Sequence, residues 1–225
     1  MSCRFCTYLQ SSIGKKQVMA LTGLALCGFL VVHLLGNLLI FVGPKAFNSY
    51  AHALITNPLI IPMEAGLALL FFSHIALGVK LTAENKKARP KSYYMKTNSG
   101  RGATFASSTM PITGVIILVF LVLHLINFRF GEFIGATYNG VDMRDLYIPV
   151  VQHFSNPAVV LWYLFAHLAL AVHVSHGLAS AVQSFGFSHP RYSPILKIIA
   201  KAYAFVIFVG FSSIPVWIYL TGGVK

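Results

Sequence analysis

Apolar residues gather along this chain into five long blocks, at positions 18–42, 60–83, 109–128, 157–185 and 194–220, with polar and basic residues confined to the connections. A helix needs about 20 apolar residues to cross a hydrocarbon core of roughly 30 Å. Every block meets that length. The pattern predicts an all-α fold, an integral membrane bundle of five transmembrane helices, with residues 1–225 as a single transmembrane domain and no soluble domain or low-complexity tract. No internal sequence repeat stands out.

Composition agrees: 56% of the 225 residues are hydrophobic and 10% charged, with a mean hydropathy of +0.73, whereas soluble domains carry about a quarter charged residues. Lys15 and Lys16 precede a full-length apolar block without a small-residue cleavage pattern, so the first block reads as a retained span rather than a signal peptide. Lys and Arg set orientation, since cytoplasmic loops hold the excess. They collect at Arg4, Lys15 and Lys16; at Lys80, Lys86, Lys87, Arg89, Lys91, Lys96 and Arg101; and at Arg191, Lys197 and Lys201. The opposite connections hold Lys45, and Arg129 and Arg144 diluted by Glu132, Asp142 and Asp145. The N-terminus is therefore expected on the cytoplasmic side and the C-terminus outside.

The net charge of +12 then belongs to an inner membrane surface and not to a nucleic-acid footprint. Anionic lipid and a docked soluble subunit are its two natural partners. Cys3 and Cys6 form one CxxC without the second half of a zinc site or the His of a c-type haem attachment, and read with Cys27 as reduced thiols.

Histidines are the chemistry within the blocks. Each of the first four contains at least one: His33, His74, His124, and the trio His167, His173 and His176. An ionisable group at membrane depth costs about 2–3 kcal/mol or more when charged and marks function by default; a neutral imidazole hydrogen-bonded between helices is the plainer alternative. Depth separates them into two levels. His33 lies about 25 Å along its helix from Lys16, in the outer half, and His124 is near the outer end of its own. His74 lies about 9 Å before Lys80, near the inner surface, and either His173 or His176 shares that half. Imidazoles from facing helices can occupy both axial positions of a haem iron, and bis-histidine ligation confines the iron to electron transfer. Gly23, Gly28, Gly36, Gly66, Gly78, Gly114 and Gly177 leave room for a flat macrocycle or for close helix packing.

The stretches "VHLLGNLLIFVGPKAFNSYAHAL" (32–54), "SHIALGVKLTAENKKA" (73–88), "ITGVIILVFLVLHL" (112–125) and "HVSHGL" (173–178) resemble the di-haem cytochrome b membrane anchors of succinate dehydrogenase and fumarate reductase, the type with five helices in one chain. That resemblance implies His33 with His124 as axial ligands of an outer haem b, and His74 with His173 as those of an inner haem b. It selects His173 over His176, which stands where relatives are expected to carry an amide such as Asn. It further implies a prokaryotic cytoplasmic membrane location. FAD and iron–sulfur clusters are expected on flavoprotein and iron–sulfur partner subunits docked on the cytoplasmic side at Lys80 to Arg101, with menaquinone or menaquinol as the membrane substrate. The succinate or fumarate site is then on a partner chain, either direction of turnover uses the same anchor, and the complex could pair as a dimer.

Quinone chemistry moves protons with electrons, so an acid or imidazole is expected beside the ring. Glu64, at the outer end of the second block, is the candidate; its alternative is a helix-start acid following Pro62. His52 in the outer loop is a second proton group or a surface residue. Ser11, Ser12, Lys15, Lys16, Gln183 and Arg191 lie at the depth of inner haem propionates. Two rivals remain in view: the di-haem anchor of a nitrate reductase or hydrogenase, and a haem-free transporter whose histidines relay protons or bind a metal, against which the absence of a visible repeat counts.

Overall fold

A backbone in lipid must close its hydrogen bonds within the segment or with a closed sheet, and each apolar block does so as a helix. The computed structural model describes residues 4–88 and 104–223. Five helical segments in it are long and apolar enough to cross a membrane: Ser12–Phe41, Ile60–Lys87, Phe105–Arg129, Pro157–Ser184 and Ser193–Thr221. Each coincides with one predicted block, the first and fourth ending one residue short of it. The helices overrun the blocks at their polar ends, where the helical pattern continues past the apolar signal.

In chain order, α1 (Arg4–Gln10) leads into α2 (Ser12–Asn37), which tightens into a 3₁₀ turn at Leu38–Phe41. Ser11 caps α2 by accepting from the Gly14 N–H at 3.0 Å. A short α3 (Pro44–Ile55) precedes α4 (Ile60–Lys87). Then come α5 (Phe105–His124), a π-helical turn at Leu125–Arg129, a hairpin of β1 (Ile134–Tyr138) and β2 (Val141–Asp145), α6 (Tyr147–Phe154), α7 (Pro157–Ser184) and α8 (Ser193–Thr221).

The hairpin is the one departure from a helical chain among the described residues. It pairs antiparallel from Ile134↔Asp145 to Tyr138↔Val141 about an Asn139-Gly140 turn in which both residues have positive φ, 54° and 75°, the pairing that an I′ turn requires. Asn48, fully buried, ties this connection to α3. Its Nδ2 donates to Asp145 Oδ1 at 3.0 Å, and its Oδ1 accepts from the N–H groups of Leu146 at 2.9 Å and Tyr147 at 3.1 Å. The stretch "AFNSYAH" thus has a structural task.

Helix α7 is the hub, packing on α2, α5 and α8, while α4 packs on α2 and only sparsely on α5. The four helices α2, α4, α5 and α7 stand at the corners of a bundle whose diagonals are α2–α5 and α4–α7. Lys15, 8% exposed, clamps α2 to α4 at the N-terminal end through both Glu84 carboxylate oxygens, at 2.5 and 2.6 Å. Cys3, the side chain of Cys6, and Arg89, Lys91, Lys96 and Arg101 of the basic connection lie outside the described residues.

Candidate functional site

The two diagonals carry the histidines. His33 on α2 faces His124 on α5 with ring centres 5.9 Å apart, toward the hairpin end of the bundle. His74 on α4 faces His173 on α7 with ring centres 6.4 Å apart, toward the N-terminal end. All four are half-buried. His173 is thus the α7 imidazole brought opposite His74. His167 is 6% exposed, its Nδ1 3.3 Å from Ser212 Oγ on α8 and its ring against Phe120, Tyr163 and Phe211; it is a satisfied packing residue.

An iron with imidazole on both sides, at metal–nitrogen distances of about 2 Å, holds the ring centres roughly 6 Å apart. Both pairs fit. In each of the four rings the polar neighbour is at Nδ1: Thr22 for His74, Thr113 for His173, Asn37 for His33 and Tyr163 for His124. Nε2 is the usual iron ligand of an imidazole held in that way, and in His33, His124 and His173 the hydrogen bonds seen among the described residues all fall on Nδ1; His74 also has the Met19 backbone as a partner. A Cβ added at Gly28, Gly66 or Gly177 would meet nothing within 4 Å, while at Gly36 it would strike the Tyr50 ring at 2.5 Å. Three of the seven glycines therefore border open space, and Gly36 serves close packing. No three His, Cys, Asp or Glu side chains converge as a metal cage among the described residues; the histidines come in twos.

The pairing exposes an internal repeat, correcting the reading that none exists. "MALTGLALCGFLVVHLL" (19–35) aligns without gaps on "MPITGVIILVFLVLHLI" (110–126), matching Thr22-Gly23 with Thr113-Gly114 and His33 with His124. "TNPLII" (56–61) matches "SNPAVV" (155–160), and "HIALG" (74–78) matches "HVSHG" (173–177) at the same spacing. Structure follows the match: Asn57 and Asn156 each accept from the N–H two residues on, both at 2.9 Å. Equivalent residues meet each other across the bundle, as copies related by a two-fold axis do. The copies run in the same direction, so this is not the inverted repeat of many transporters.

At the hairpin end, Glu64 is half-exposed and forms a bidentate pair with Arg129, both contacts 3.0 Å. The π turn positions Arg129: its widened backbone closes through the Phe130 N–H to the Leu125 carbonyl at 2.9 Å, immediately after His124. Such turns recur at functional sites. On the other side of α5, a recess of about 290 Å³ is lined by Asn127, His153, Trp162 and Tyr163 among others. The Trp162 indole N–H is buried there without an acceptor. Burial pushes the His153 imidazole below its ordinary pKa. His52 is half-buried on α3. Of the proposed propionate donors, Lys15 is engaged by Glu84 and Ser11 by its capping bond, with its hydroxyl donating to the Tyr8 carbonyl.

Five apolar spans around two half-buried histidine pairs describe a multi-pass membrane protein. The chain is similar to the succinate dehydrogenase cytochrome b558 subunit of Bacillus subtilis (strain 168), with 26% identity over 185 residues that cover 82% of this chain and 83% of that protein. The resemblance first seen in four short stretches thus extends along most of the chain. No family model and no solved structure matches it.

Proposed function

We propose that this chain is the membrane anchor of a succinate:quinone oxidoreductase, a single transmembrane cytochrome b domain that passes electrons between an iron–sulfur subunit and menaquinone in a prokaryotic cytoplasmic membrane. The observation that carries the reading is the pair of diagonal histidine contacts, at 5.9 and 6.4 Å, in a chain similar over 82% of its length to a succinate dehydrogenase cytochrome b558 subunit. His33 and His124 would hold one haem b, and His74 and His173 the other. When bound, such haems would supply one-electron transfer.

The basic residues Lys80, Lys86 and Lys87 mark the end where a flavoprotein and an iron–sulfur subunit dock, with anionic lipid at the same surface. By the same charge rule this N-terminal end is cytoplasmic, so the hairpin end faces outward. Glu64 is the proton-transfer group for quinone there. Arg129 holds its carboxylate in place through two contacts of 3.0 Å.

The reading is tested by adding succinate anaerobically to membranes containing the assembled complex and recording haem absorbance. Reduction of the b bands, reversed by a menaquinone analogue, is the expected result. Bands that respond to dithionite but never to succinate, with active soluble subunits attached, would assign the anchor to another respiratory complex.

A further inference from the structure

The repeat duplicates more than the histidines. Thr22 is 5% exposed and Thr113 7%, and each sits on the helix that neighbours a histidine of its own half. Thr22 Oγ1 lies 3.0 Å from the carbonyls of both Val18 and Met19 and 3.1 Å from His74 Nδ1. Thr113 Oγ1 lies 3.1 Å from the carbonyls of Thr109 and Met110 and 3.1 Å from His173 Nδ1. A hydroxyl has one proton and two lone pairs. With the proton turned to its own helix carbonyls, each threonine presents an acceptor to the imidazole. Nδ1 then carries the ring hydrogen, and Nε2 keeps the lone pair that binds metal.

The residue after each threonine is glycine, and this too is matched. A Cβ at Gly23 would lie 3.2 Å from His74 Cε1, and one at Gly114 3.7 Å from His173 Cε1. Thr-Gly is therefore a two-residue cradle, supplying the acceptor and the room for the ring edge. The other pair has no such device: His33 Nδ1 has the Asn37 amide nitrogen at 3.4 Å, and His124 Nδ1 the Tyr163 hydroxyl at 3.4 Å.

We infer that Thr22 and Thr113 are positioning residues for one haem only, fixing the tautomer and orientation of His74 and His173 and raising their basicity as ligands. This rests on the assignment of those histidines under the proposed function. An acceptor at Nδ1–H makes imidazole a stronger donor, which favours ferric over ferrous iron; removal of such a partner commonly weakens metal binding about 10- to 100-fold.

The test uses the intact complex carrying Thr22→Val, Thr113→Val, Thr22→Ser or Thr113→Ser, with an optical redox titration and the low-spin EPR signal of each haem as readouts. Each Val variant is expected to shift the His74/His173 haem to higher potential and move its EPR signal, or to lose that haem alone, with the His33/His124 haem unmoved. Each Ser variant, retaining the hydroxyl, keeps the wild-type values. Unchanged titration and EPR in both Val variants, equal shifts of both haems, or loss of haem in the Ser variants as well would overturn the inference. Failure of the underlying assignment is seen separately, as full haem content in His74→Ala and His173→Ala complexes from the same series.

Discussion

The two ends of the bundle hold the same kind of histidine pair in different surroundings. At the N-terminal end the two halves of the repeat are nearly symmetric: His74 and His173 each meet a threonine hydroxyl at 3.1 Å. At the hairpin end the symmetry is broken. His33 and His124 have unlike and longer contacts, and beside them stand the Glu64–Arg129 pair, the π turn, the hairpin and the recess at Trp162. A symmetric end suits a site with one task, holding a cofactor. The asymmetric end holds the groups proposed for proton transfer and quinone, the Glu64–Arg129 pair and the Trp162 recess, which have no counterpart at the other end.

The largest expected effect separates the ends outright. Replacing His74 or His173 with Ala removes one haem and leaves the other, and replacing His33 or His124 does the converse, read as a fall from two haems per chain to one. If every variant lost both, the ends would be coupled rather than separate. Next, Glu64→Gln lowers succinate–menaquinone turnover by about 10²- to 10⁴-fold, the range for a lost acid–base group. It also alters the pH profile while both haem spectra stay intact. A wild-type turnover and pH profile would remove Glu64 from the proton path.

Smaller changes probe the scaffold of the hairpin end. Asn48→Ala strands buried groups at Asp145, Leu146 and Tyr147 and should cost about 1–3 kcal/mol, seen as a lower thermal midpoint with an unchanged His74/His173 haem signal. His153 supplies a weak pH dependence. Burial lowers its folded pKa, so below its ordinary value near 6.5 the unfolded chain binds the proton more readily and stability falls as pH drops. Because the residue is only half-buried, the effect is under about 1 kcal/mol after solvent screening, and His153→Gln should flatten it. Trp162→Phe, which removes the unpaired indole N–H, should leave quinone turnover within about twofold; a larger loss would move the quinone from Glu64 to the Trp162 recess.

Much of this was legible in the order of residues. Block length alone predicts all five spans, because lipid allows a lone segment only a helix. Counting residues from the basic ends sorts the histidines into the two levels at which they meet. The choice of His173 over His176 needed the family resemblance. The repeat was present in the letters but hidden by apolar residues that substitute freely for one another. Only when His33 met His124 did the shared Thr-Gly and Asn-Pro positions align. The threonine contacts were illegible for another reason, since a hydroxyl one helix away from a histidine has no spacing rule. Asn139-Gly140 was a readable hairpin signal overshadowed by the helical pattern around it. Arg129 reached Glu64 through a π turn that no residue pattern announces.

The most direct test of the whole account is the haem content of the purified complex, by pyridine haemochrome and a reduced-minus-oxidised spectrum. Two b-type haems per chain, falling to one in His74→Ala and in His33→Ala, is the predicted result. A complex that retains its native cofactors yet contains no haem, or retains two haems in both variants, would contradict it.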